Sequence, residues 1–141
     1  MNLRMLSLAL LLVVGTASCK KPVHGCTDMN ALNYNSAAQD NDGSCQYSQL
    51  TFYAMYGYYN GIPISSIDVS VNGTMIGTIN TVYPTAPGNC YAQGTVAYAF
   101  STDAAYNWNT VVHLLNGAQV YGSGSVSPMG GVSCIKVNVT Q

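Results

Sequence analysis

The chain has no glutamate, and its lysines and arginines together number four against five aspartates in 141 residues. So few cations leave no electrostatic footprint for nucleic acid, which is therefore excluded as a partner. It has two histidines and a single tryptophan, which limits the ways a catalytic centre can be assembled. No segment after Val14 keeps apolar residues at helical spacing, so helices are not expected. No apolar run approaches the roughly 20 residues that a bilayer-spanning helix needs. Solubility must rest on Ser, Thr, Asn, Gly and eleven tyrosines. Together with many β-branched residues, these suit a β protein.

The chain opens with Met1 to Arg4, a short positive stretch, and Met5 to Val14 (MLSLALLLVV), an unbroken apolar run. Four small residues follow, Gly15 to Ser18. This three-part order is that of a secretory signal peptide, so residues 1–18 are set apart from the fold. Thr16-Ala17-Ser18-Cys19 resembles a bacterial lipobox, with threonine where leucine is usual. The resemblance implies acylation of Cys19 and a membrane partner reached through an N-terminal lipid. Of the five cysteines, Cys19, Cys26, Cys45, Cys90 and Cys134, one would otherwise stay unpaired in an exported chain. Lipidating Cys19 leaves an even set for an oxidising compartment. Residues 19–24 then form a tether carrying Lys20 and Lys21 beside the anchor. Lysine rather than aspartate follows Cys19, so the expected location is the outer membrane, on its periplasmic or its surface face.

Residues 25–48 differ in character from the rest. Gly25-Cys26-Thr27-Asp28 leads through Ala31, Asn33, Tyr34 and Asn35 to Asp40-Asn41-Asp42-Gly43-Ser44-Cys45. A disulfide from Cys26 to Cys45 would close a loop of about twenty residues, worth roughly 3 kcal/mol in the chain-entropy picture. A segment this short and polar buries too little to fold without such a staple. Asp28, Asp40 and Asp42 offer hard oxygen ligands of the kind Ca²⁺ takes, although the EF-hand spacing fails, with Ala38 and Gln49 at its first and twelfth positions. The alternative is that Asp40 and Asp42 make Asx-turns leading into Gly43. From Gly25 to Cys45 the segment resembles a module of secreted bacterial proteins written GCTDxxAxNYNxxAxxDDGSC. Met29 stands where that module usually has proline, and Asn41 replaces one acidic residue. The resemblance implies a Cys26–Cys45 pair and suspected calcium binding.

From Gln49 to Gln141 the chain reads as short alternating strands punctuated by turn signals. Leu50, Phe52, Ala54, Tyr56 and Tyr58 alternate with Thr51, Tyr53, Met55, Gly57 and Tyr59 up to Asn60-Gly61. Ile67, Val69 and Val71 precede Asn72-Gly73, which predicts a two-residue type I′ hairpin with Val71 facing Thr74 and Val69 facing Ile76. Further strands are expected at Val96–Phe100, Trp108–Leu115, Ala118–Val126 and Ile135–Val139. About seven strands at this spacing point to an all-β fold, an antiparallel β-sandwich of the immunoglobulin or transthyretin kind. Four cysteines allow three connectivities, and Cys26–Cys45 with Cys90–Cys134 is chosen because each pair then staples one module. The skeleton Val69-Ser70-Val71-Asn72-Gly73, Gly77-Thr78-Ile79, Cys90 and Gly130 to Cys134 is similar to small domains of secreted bacterial lipoproteins. That family has no assigned activity, so the similarity implies a sandwich and says nothing of chemistry.

Catalytic chemistry finds little to work with. His24 lies in the tether, and His113 is expected on a strand face with Val111 and Leu115, opposite Val120. No G-x-S-x-G elbow occurs. A paired-carboxylate mechanism outside the small module would have to use Asp68 and Asp103, and a titratable cluster would have to join His113 to one of them. Tyrosines are the better clue, since an exposed ring offers an apolar body and a polar tip for a sugar or a protein partner. Tyr53, Tyr59 and Trp108 are the ligand-binding candidates. The reading is a non-catalytic envelope lipoprotein that binds or adheres, with a glycan or an envelope protein as partner. The alternatives are a structural envelope lipoprotein without a small ligand, or the glycan-binding part of a surface uptake system.

Overall fold

The computed structural model describes residues 20–140; the leader and Cys19, the expected site of lipid attachment, lie outside the described residues. The described chain is all β. Its strands are β1 (His24–Gly25), β2 (Asp40–Asn41), β3 (Gln49–Tyr53), β4 (Tyr58–Tyr59), β5 (Ile62–Val71), β6 (Thr74–Ile79), β7 (Val96–Ala99), β8 (Tyr106–Leu114), β9 (Gln119–Val126) and β10 (Cys134–Asn138). Seven correspond to the strands read from the sequence. The other three, β1, β2 and β4, span two residues each, too short for an alternating pattern to register.

Two sheets face each other. One is three-stranded in the order β10-β3-β7; the other runs β4-β5-β8-β9, with β6 also on β5. Leu50, Phe52 and Val96 from the first meet Ile67, Val69, Val71, Val112 and Leu114 from the second in one buried cluster. The alternation of β5 works as read, with Ile67, Val69 and Val71 almost fully buried while Asp68 and Ser70 stay part-exposed on the other face. At its end Asn72 (φ 48°) and Gly73 (φ 81°) both lie in the left-handed region, as a type I′ turn requires, and Val71 pairs with Thr74.

The next pair departs from expectation. Val69 faces Gly77 rather than Ile76, because the register shifts between Val69 and Ser70. The extra residue of this bulge reverses the faces of β6 beyond it. Ile79 turns into the core opposite Ile67, and Thr78 comes out beside Asp68.

The small sheet is mixed rather than antiparallel. β10 runs parallel to β3, Cys134 opposite Gln49 and Asn138 opposite Tyr53, because the chain leaves β9 and crosses to the opposite sheet instead of folding back as a hairpin. β3 is also covered on both faces, with Thr51 and Tyr53 buried along with Leu50 and Phe52. Its alternation therefore does not mark an exposed side.

Both expected disulfides are formed, Cys26–Cys45 and Cys90–Cys134. The first closes the small module, where β1 and β2 pair in parallel. Its docking is set by the Tyr47 hydroxyl, which donates to Asp28 Oδ2 at 2.7 Å, and by the Leu32 N–H, which donates to the Gln46 carbonyl. Gly130 lies so close that a β-carbon there would sit 2.6 Å from the Met29 carbonyl oxygen.

Candidate functional site

The three-stranded sheet is narrower than the sheet it packs on, and β9 lies at the far edge of the wider one. Its inward residues, Val120, Gly122, Gly124 and Val126, are consequently only half-buried. Here the sandwich opens into a small cleft of about 70 Å³. Ile64, Val112, Val120 and Val139 contribute to its walls, and Tyr58, Tyr59 and Tyr121 also line it. All three tyrosines are exposed, Tyr121 the most at 72%. Tyr58 and Tyr59 are held there by the Asn60-Gly61 turn, both of whose residues have positive φ, which folds β4 back onto Ile62 and Pro63.

Thr110 also lines the cleft. It is 1% exposed, and its Oγ1 has no hydrogen-bond partner in the protein. An unpaired buried hydroxyl costs about 1–3 kcal/mol. Gly122 stands opposite Thr110, and a β-carbon there would come within 2.6 Å of that oxygen. The cleft thus combines an aliphatic wall, exposed aromatic rings and one unsatisfied hydroxyl.

On the outer face of the same sheet a chain of polar side chains crosses four strands. Thr78 Oγ1 donates to Asp68 Oδ1 at 2.7 Å, and His113 Nε2 lies 2.9 Å from Asp68 Oδ2. Gln119 Nε2 lies 3.3 Å from His113 Nδ1, and the Tyr121 hydroxyl donates to Gln119 Oε1 at 2.9 Å. The Thr78 hydroxyl, and then His113, hold the Asp68 carboxyl below the usual carboxylate range. The His113–Asp68 pairing raised from the sequence therefore exists. It lies on a sheet face with both side chains about one-third exposed, and His113 receives no hydroxyl or thiol as a nucleophile would require.

His113 does not face Val120, as expected, but Gln119. The reason is the turn. The Leu114 N–H bonds to the Ala118 carbonyl and the Gly117 N–H to the Leu114 carbonyl, so the loop holds three residues instead of two, with Gly117 in the left-handed region. One residue of slip turns every side chain to the other face, and Leu115 ends 68% exposed.

Of the ligand-binding candidates, the structure brings only Tyr59 to the cleft. Tyr53 is 5% exposed. Trp108 is partly buried and packs against the core in an edge-to-face arrangement with Phe52, centroids 6.1 Å apart. Both correct the expectation of exposed rings. Tyr106 is likewise buried, its oxygen 2.9 Å from Ser101 Oγ. Tyr58, Tyr121 and Thr110 were missed. Tyr58 shares the alternation of Phe52 in the sequence, but the strand ends at Tyr53 and restarts at Tyr58, so parity is not carried across.

The candidate calcium ligands go separate ways. Asp28 accepts from the Asn30 N–H and from Tyr47; Asp42 accepts from the Ser44 N–H, and the Ser44 side chain and then that N–H hold its carboxyl below the usual range. Asp40 lies 3.8 Å from His24 Nδ1 with both side chains exposed, a pair of little energetic weight. Among the described residues no group of three or more His, Cys, Asp or Glu side chains is placed to hold a metal ion. Comparison of the chain with protein-family models, with curated proteins and with solved structures finds no match.

Proposed function

We propose that the protein is a non-catalytic, lipid-anchored component of the cell envelope that binds a glycan in the cleft rimmed by Tyr58 and Tyr59. The observation that carries this reading is the convergence of two exposed tyrosines, Tyr58 and Tyr59, on one cleft with an aliphatic wall. A sugar ring presents an apolar face to an aromatic ring and hydroxyls at its edge. The paired cysteines fit an oxidising compartment outside the cytoplasm, as the leader and the lipid anchor at Cys19 require.

The test is a glycan and envelope-extract array probed with the chain from Lys20 onward, wild type beside Tyr59→Ala, with calcium and with EDTA. Binding that the variant weakens about tenfold or more, the scale of one lost aromatic contact, places the ligand in the cleft. Binding that disappears in EDTA moves the site to the aspartates of the small module. Absence of binding in every arm overturns the glycan reading in favour of a structural envelope lipoprotein.

A further inference from the structure

The exposed sheet edges are not alike. Among the described residues β4 spans two residues and β7 four, β6 carries a bulge, and β10 carries Lys136 at its centre. Short length, bulges and lysines are the devices that keep strand edges from pairing with other chains. β9 has none of them. It runs eight residues, Gln119-Val120-Tyr121-Gly122-Ser123-Gly124-Ser125-Val126, without charge or proline. It pairs with β8 at every position without a register shift, and with no other strand.

The phase of its free groups follows from the hairpin. The Leu114 N–H bonds to the Ala118 carbonyl, so Ala118 belongs to a hydrogen-bonded pair. In an antiparallel ladder such pairs alternate. Val120, Gly122, Gly124 and Val126 therefore bond inward to β8. Gln119, Tyr121, Ser123 and Ser125 turn their N–H and C=O groups to the open side.

We infer that the β9 edge is a pairing surface for a second copy of this chain, joining two sandwiches through one continuous sheet. The sequence is self-complementary for this purpose. Antiparallel pairing about a two-fold axis at Gly122 sets Gln119 opposite Ser125 and Tyr121 opposite Ser123 of the second copy, so each outward residue meets an outward residue. On the inner side Val120 then lies opposite Gly124, a larger residue against the smallest. Between Asp103 and Lys136 the chain has no aspartate, glutamate, lysine or arginine, so two identical edges meet without like-charge repulsion. His113, on the neighbouring β8, is already paired with Asp68 on the outer face.

The experiment uses the full chain in the envelope of an expressing bacterium, with a photoreactive amino acid at Ser125, whose side chain would lie beside Gln119 of the second copy. Irradiation is expected to give a covalent product of twice the monomer mass. Ser123→Pro removes an N–H that the fold itself does not use, and proline is tolerated on an edge strand in that orientation. This variant, with both disulfides verified by thiol labelling, should lower the product about tenfold or more, because the facing strand loses its donor and meets the ring. Ser123→Lys, which leaves the backbone unchanged, should lower it in the same direction, because it sets two like charges on diagonal positions of the joined sheet and places lysine on the edge. No covalent product, a product of another mass, or a dimer product indifferent to both variants would overturn the inference.

Discussion

Between Cys26 and Cys45 the buried residues are Cys26 and Ala31, whereas between Gln49 and Val139 a continuous cluster of aliphatic and aromatic side chains fills the space between two sheets. The small module substitutes covalent closure and local side-chain turns for burial. Asp28, Asn35, Asn41 and Asp42 each accept from a backbone N–H two residues ahead. These bonds organise the loop without hiding apolar surface. The sandwich draws on apolar burial, at roughly 25 cal/mol per Å². One chain thus carries one region stabilised by restricting its unfolded state and another stabilised by removing surface from water.

The contrast can be broken first from the sandwich side. Phe52 is fully buried at the centre of the cluster, and Phe52→Ala should lower the stability of the sandwich by about 3–5 kcal/mol, read as a shift of the urea midpoint followed by tryptophan fluorescence. From the other side, Cys26→Ala combined with Cys45→Ala should remove about 3 kcal/mol from the module alone. Limited proteolysis should then cut between residues 26 and 45 while the fluorescence midpoint moves little. Coincident loss of both regions would show that they fold as one unit.

Tyr47 sharpens the comparison, because it joins the two regions. Its hydroxyl is pushed up to about 12, chiefly by the bond to Asp28. A group whose pKa is raised by folding contributes stability that is complete below its ordinary value of 10 and lost as pH rises through the folded value. Docking should therefore weaken between about pH 10 and 12. Asp28→Asn should bring one tyrosinate transition in the ultraviolet titration back toward 10, at a stability loss of about 1–2 kcal/mol for the charge-assisted bond. The smallest effect belongs to Asp68, whose carboxyl is lowered first by Thr78 and then by His113. Its contribution is present above 3.8 and is lost as pH falls through the lower folded value. Thr78→Val should make the acid limb of a melting-temperature profile shallower, and an unchanged limb would remove Asp68 from the account.

Most of the fold was legible because alternation and Asn-Gly turns are local signals. β5, β8 and the turn at Asn72-Gly73 lie where period-two hydrophobicity and left-handed backbone demand. The misses are failures of phase. A bulge beside Ser70 and a third loop residue at Leu115 each shift a strand by one position, and neither leaves a mark in composition. Those shifts decide which side chains meet on the surface, which is why Thr78 and Gln119 join the His113 chain unannounced. The cleft was partly legible for a different reason. Tyrosine is both a good strand former and a good contact residue, and only tertiary packing separates buried Tyr53 from exposed Tyr58 and Tyr121.

The pairing of β3 with β10 also bears on when the protein can become itself. β3 is covered on both faces, yet its two neighbours, β7 and β10, come from much later in the chain. Its parallel partner is the last strand, and the Val139 N–H closes on the Tyr53 carbonyl. Pairings this distant in sequence form slowly. Until β10 is in place β3 lacks one of its two neighbours, so the three-stranded sheet closes after the β5–β6 and β8–β9 hairpins, whose partners adjoin in sequence.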